Sequence, residues 1–87
     1  MNISTIEQYV EQMNSWGKLT GGKPLSLLNS QDRQRIAQRI DCELSPENLT
    51  CDGELSRAEV QKRYQYLTRC AEELSSIDPT VTFYDFN

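Results

Sequence analysis

Between Ser56 and Pro79 the chain carries one amphipathic run whose two ends are both marked. Ser56-Arg57-Ala58-Glu59 has the pattern of a capping box: the serine hydroxyl receives an early helical amide and the glutamate reaches back to the serine N–H. Leu55 and Val60 stand at the spacing of a hydrophobic staple. Val60, Tyr64, Leu67, Ala71 and Leu74 then recur at steps of three and four, a single helical stripe. Asp78-Pro79 ends it, because the residue before proline is pushed out of the helical region. The spacing predicts a helix over 57–76. Tyr66, Cys70 and Ile77 widen its apolar arc to about 160°, against the ~100° of a simple surface helix. So wide an arc requires two neighbours within one chain, or a second chain.

Two further helices are signalled upstream. Ser4 to Glu7 fits a second capping box, and Ile6, Tyr9, Val10, Met13 and Trp16 follow as a stripe, giving a helix over 5–16 closed by Gly17. Asn29 or Ser30 caps a helix over 30–42 whose inner face is Ile36, Ala37, Ile40 and Leu44. Arg35 and Arg39 lie four apart on its other face. Ser45-Pro46 starts a short turn over 46–49, and Asp52-Gly53 makes another. Leu25, Leu27 and Leu28 are expected to fold back from the connector onto the core. The tail from Thr80 to Asn87, with Val81 and Phe83 alternating with polar neighbours, suits a short edge strand or an extended arm over the helices. The fold class is therefore all-α: one domain over residues 1–87, with three main helices and an extended aromatic tail.

A chain of 87 residues supports one core and buries only about 60–65% of its unfolded surface. Association with a partner or a second copy is a common remedy, and a homodimer is expected with the third helix or the aromatic tail at the seam. No run approaches the ~18 apolar residues of a spanning helix, and the first residues lack the basic and apolar blocks of a secretory signal. With Cys42, Cys51 and Cys70 an odd number, reduced thiols and a cytoplasmic location are expected.

Charge is segregated. Residues 1–17 carry −2, residues 18–39 carry +4 and residues 40–87 carry −6, which sums to the net −4. Only the middle would attract a phosphate-bearing ligand or nucleic acid, through Arg35 and Arg39. The following helix bears Glu59, Glu72 and Glu73 and the chain is acidic overall, which argues against reading DNA.

Three chemistries are tested by spacing. GKLTGGKP, Gly17 to Pro24, has the glycine and lysine spacing of a phosphate loop, yet it follows an amphipathic helix and ends in proline where the magnesium-binding hydroxyl should stand. It is loop punctuation. Histidine is absent and no Cys-x-x-Cys pair occurs, which removes the usual general base and zinc sites, so no enzyme activity and no cofactor are expected. Asn48 to Glu59 resembles an EF-hand calcium loop, with Gly53 sixth and Glu59 twelfth. That resemblance implies calcium ligands Asn48, Thr50, Asp52, Glu54 and Glu59, but Asn48 and Thr50 bring no charge to the first and third positions.

The segment from Leu44 to Asp78 resembles small accessory proteins of bacteriophages and other mobile elements. The resemblance implies a protein that binds a host factor and inhibits or redirects it. The sequence thus predicts a non-catalytic binding protein, with Arg35, Arg39, Tyr66, Phe83, Tyr84 and Phe86 as the partner- or ligand-binding residues. The alternatives are a phosphate-ligand or nucleic-acid binder and a calcium-binding module.

Overall fold

The computed structural model describes residues 4–17 and 21–83. Among them the regular elements are helical: α1 (Thr5–Gly17), α2 (Ser30–Leu44), α3 (Pro46–Leu49) and α4 (Arg57–Ile77), with one 3₁₀ turn at Leu25–Leu27. The protein is a small all-α domain.

The helix starts follow the local chemistry of the sequence. Asn29 Oδ1 accepts the Asp32 N–H at 2.9 Å and opens α2. At α4 both halves of the capping box form: the Glu59 N–H donates to Ser56 Oγ at 3.3 Å, and the Ser56 N–H donates to Glu59 Oε1 at 3.2 Å. Ser4 Oγ accepts the Glu7 N–H at 3.4 Å. Ser45 departs from its expected role. Its hydroxyl donates to the Cys42 carbonyl at 2.8 Å instead of capping α3, which starts on the fixed φ of Pro46. Gly17 also departs, being the last helical residue and not a left-handed cap.

α4 is the axis of the domain. Its 21 residues span about 31 Å at 1.5 Å per residue, close to the longest dimension of the molecule, 36 Å. α1 and α2 both pack on it, and α3 joins the end of α2 to it. The core gathers Ile6, Tyr9, Val10 and Met13 of α1, Ile36, Ala37, Ile40 and Leu44 of α2, and Leu67, Cys70, Ala71 and Leu74 of α4. Leu25 and Leu28 join from the connector.

The tail closes the remaining flank. Asp78 leaves the helix in extended backbone before Pro79, and Val81 and Phe83 then turn inward while Thr82 faces out. Gln34 of α2 takes the place of a neighbouring strand: its Oε1 accepts the Thr82 N–H at 2.9 Å and its Nε2 donates to the Thr82 carbonyl at 3.1 Å. The alternating pattern therefore marks an arm held by a side-chain amide, which satisfies the backbone without a strand. Asp78 anchors its start, accepting the Thr80 N–H and hydroxyl and lying 3.4 Å from Arg33 Nη1.

Four residues assigned inward by the apolar pattern point outward. Trp16, Leu27, Tyr64 and Ile77 are all exposed. Trp16 stands in the last turn of α1 and Tyr64 in the N-terminal half of α4, and Leu27 projects from the 3₁₀ turn while Leu25 and Leu28 turn in.

Candidate functional site

Arg35 and Arg39 lie on the solvent face of α2, but neither is an isolated cation. Arg35 Nη1 is 3.7 Å from Asp32 Oδ1, and Arg39 Nε is 3.7 Å from Glu43 Oε2. Glu43 is a hub. Its Oε1 accepts from Arg63 Nη2 of α4 at 3.4 Å, and its Oε2 accepts the Tyr9 hydroxyl of α1. One carboxylate thus ties three helices together. Burial first, then the bond to Glu43, pushes the Tyr9 hydroxyl up, so it stays a proton donor at neutral pH.

Arg39 borders two hollows of about 280 Å3 each. One is lined by Met13, Trp16 and Gly17, the other by residues of the α2–α3 corner and Arg63. Above the first stands Trp16, 77% exposed, with Arg39 beside it about half exposed. A tryptophan left in water while valine and methionine of the same stripe are buried is the largest apolar exposure among the described residues. Trp and Arg are the side chains most enriched where binding energy concentrates. Sequence reasoning assigned Trp16 to the core. Its position in the last turn of α1, beside Gly17, is the one signal in the sequence that cover could end there.

The remaining expected site residues separate. Tyr66 is half-buried with its ring 6.3 Å from that of Tyr9, tilted 49°. Burial pushes its hydroxyl up to about 12, and the Cys70 thiol likewise up to about 12, so both stay protonated at neutral pH. Tyr66 also borders an open trough of about 760 Å3 along the outer side of α4 with Thr5, Lys62, Arg69 and Glu73. Phe83 is a core residue at 5% exposure and offers no ring to a partner, because the hydrophobic gain of folding it back is met within the chain. Tyr84 and Phe86 lie outside the described residues.

The five EF-hand positions do not converge. Asn48 Nδ2 donates to the Cys42 carbonyl at 2.8 Å, and the Thr50 hydroxyl donates to the Pro46 carbonyl at 2.8 Å. Glu59 is turned back on Ser56 in the capping box. Asp52 and Glu54 are exposed on the turn, where Cys51, Asp52 and Gly53 all take left-handed φ. Among the described residues no three Cys, Asp or Glu side chains are grouped to hold a metal ion, and no helix is long and apolar enough to cross a membrane.

No protein-family model matches the chain, and no curated protein or solved structure is significantly similar to it.

Proposed function

We propose that this chain is a non-catalytic binding protein of the cytoplasm, acting by protein–protein contact in the manner of phage accessory proteins that inhibit or redirect a host factor. The observation that carries the proposal is Trp16, which stands exposed beside the half-exposed Arg39. The indole would enter an apolar pocket of the partner, and the Arg39 guanidinium would meet a carboxylate or carbonyl at the rim. A phosphate-bearing ligand or nucleic acid would have to displace Asp32 from Arg35 and Glu43 from Arg39, which favours the protein partner.

The test is capture from bacterial lysate with the full chain, followed by affinity measurement of the retained protein against Trp16→Ala and Arg39→Ala. Trp16→Ala should weaken binding at least about tenfold while its thermal midpoint stays within a degree or two, since an exposed side chain contributes little to stability. Retention of no protein, together with a melting shift on adding nucleotides or calcium, would reverse the proposal in favour of a ligand binder. A homodimer would place a second copy on the same face. Sedimentation of the wild type and of Trp16→Ala at high concentration separates that occupant from a foreign partner.

A further inference from the structure

Two of the three cysteines face one hollow. Cys42 is in the last turn of α2 and Cys51 follows α3, and both are exposed. Both line the ~280 Å3 recess that Arg39 and Arg63 border. Asn48 contacts both sulfurs. Its Nδ2 donates to Cys42 Sγ at 3.5 Å, and its backbone carbonyl accepts from the Cys51 thiol at 3.8 Å. Cys70 is sealed in the core, its thiol 3.7 Å from the Thr5 carbonyl.

We propose that Cys42 and Cys51 form a modification site, a dithiol that closes into an intramolecular disulfide by exchange with a small disulfide such as glutathione disulfide. The chemistry needs no other reagent. One protein thiolate attacks the glutathione disulfide, forming a mixed disulfide and releasing one glutathione thiolate. The second protein thiolate attacks the protein sulfur of that mixed disulfide and releases the other. Two protein thiols are oxidised, one glutathione disulfide is reduced to two glutathiones, and the two protein protons pass through solvent to the departing thiolates.

Closure requires the sulfurs to reach about 2.05 Å and the two Cα atoms to lie within about 7 Å. The Asn48 amide, bonded to the Cys42 carbonyl and sulfur, must therefore release Cys42. The intervening segment can supply the movement. α3 has only four residues, and Cys51 and Asp52 hold φ of 50° and 57°, a region that L-residues occupy under strain, so leaving it relieves part of the cost of moving. What resists is the turn's backbone bonding together with the Asn48 amide. The Cys51 N–H donates to the Asn48 carbonyl at 3.3 Å and the Asp52 N–H to the Glu47 carbonyl at 2.9 Å. The Asn48 amide donates to the Cys42 carbonyl at 2.8 Å and to Ser45 Oγ at 3.0 Å. Asn48 is thus the spacer that keeps the dithiol open.

The test incubates the full chain with excess glutathione disulfide, blocks remaining thiols with an alkylating agent and maps the peptides by mass. Expected is a Cys42–Cys51 linkage, lighter than the two free peptides by two hydrogen atoms and reversed by dithiothreitol, with Cys70 unmodified until the protein is unfolded. Cys42→Ser and Cys51→Ser should each stop at a single glutathione adduct, and Asn48→Ala should close several-fold faster than wild type. A wild-type chain that collects two separate glutathione adducts, links to a second chain or stays reduced would overturn the site. Closure at an unchanged rate in Asn48→Ala would overturn the spacer.

Discussion

The two halves of α4 carry the same stripe and meet different fates. From Leu67 to Leu74 the helix is sealed, with Leu67, Cys70, Ala71 and Leu74 buried beneath the start of α1 and the returning tail. From Val60 to Tyr64 it is half open: Val60 is half-buried, Tyr64 is exposed, and the tie across to α2 is the Arg63–Glu43 pair. The helices also differ in length. α4 runs about 31 Å, whereas the 13 residues of α1 and the 15 of α2 reach only about 20 and 23 Å. A stripe shows which face of a helix turns inward; the lengths of its neighbours decide how much of that face is covered.

The sharpest test of this contrast is Phe83→Ala. Its ring closes the sealed half, and truncating a buried phenylalanine costs about 3–5 kcal/mol. That is a large share of the 5–15 kcal/mol typical of a whole domain. Urea unfolding should show the midpoint collapsing. Val60→Ala in the open half should cost less than about 1.5 kcal/mol, since little of the side chain loses its cover. Equal costs would mean that the two halves are buried alike.

Next in size is Glu43→Gln. The substitution keeps the shape but removes the charge that Arg39 and Arg63 share, and it weakens the acceptor for the Tyr9 hydroxyl. A hydrogen-bonded charge of this kind contributes about 1.5–3 kcal/mol. Denaturant titration should show that loss, and a double-mutant cycle with Arg63→Met should show coupling between the two positions. If the open half is held by apolar contact alone, the cycle will show none.

A smaller effect separates the halves by pH. At the end of the sealed half, the Thr80 hydroxyl and N–H, then Arg33, hold the Asp78 carboxyl below the usual carboxylate range. Glu73 is pushed up by burial, but the Ile6 N–H and Arg69 outweigh this and hold it low as well. Folded values below the unfolded ones contribute stability that is present above about pH 4 and lost as pH falls through the folded values. The thermal midpoint should therefore drop between about pH 4.5 and 2.5. Asp78→Asn should start lower at neutral pH and lose less across that window. A variant that falls as steeply as wild type would assign the acid sensitivity elsewhere.

Much of the fold could be read in advance because its signals are local. The caps at Asn29 and Ser56, the proline at 46 and the stop at Asp78-Pro79 act within a few residues, and the helices lie within two residues of the predicted bounds. What escaped was tertiary. Whether Phe83 would face a partner or the core depended on Gln34 holding the backbone of Thr82, forty-eight positions further along the chain. Arg35 and Arg39 were legible as a basic face, but their neutralisation by Asp32 and Glu43 depends on side-chain geometry. Trp16 matched the stripe of α1 perfectly and still projects, because periodicity gives direction without reach.

Tyr64 gives the smallest expected effect and isolates the point about reach. By spacing it belongs to the same stripe as Leu67 and Leu74, and a fully buried aromatic there would cost about 3–5 kcal/mol to truncate. In the structure Tyr64 is half exposed, so about half of its surface stays in water in both folded and unfolded states. Tyr64→Ala should therefore shift stability by no more than about 0.5–1 kcal/mol, partly offset by the better helix propensity of alanine. Urea denaturation at low protein concentration measures it. A loss of several kcal/mol would mean that the N-terminal half of α4 is covered in solution. Repeating the titration across protein concentrations then identifies the cover: a second copy makes the wild-type midpoint rise with concentration and the variant midpoint independent of it.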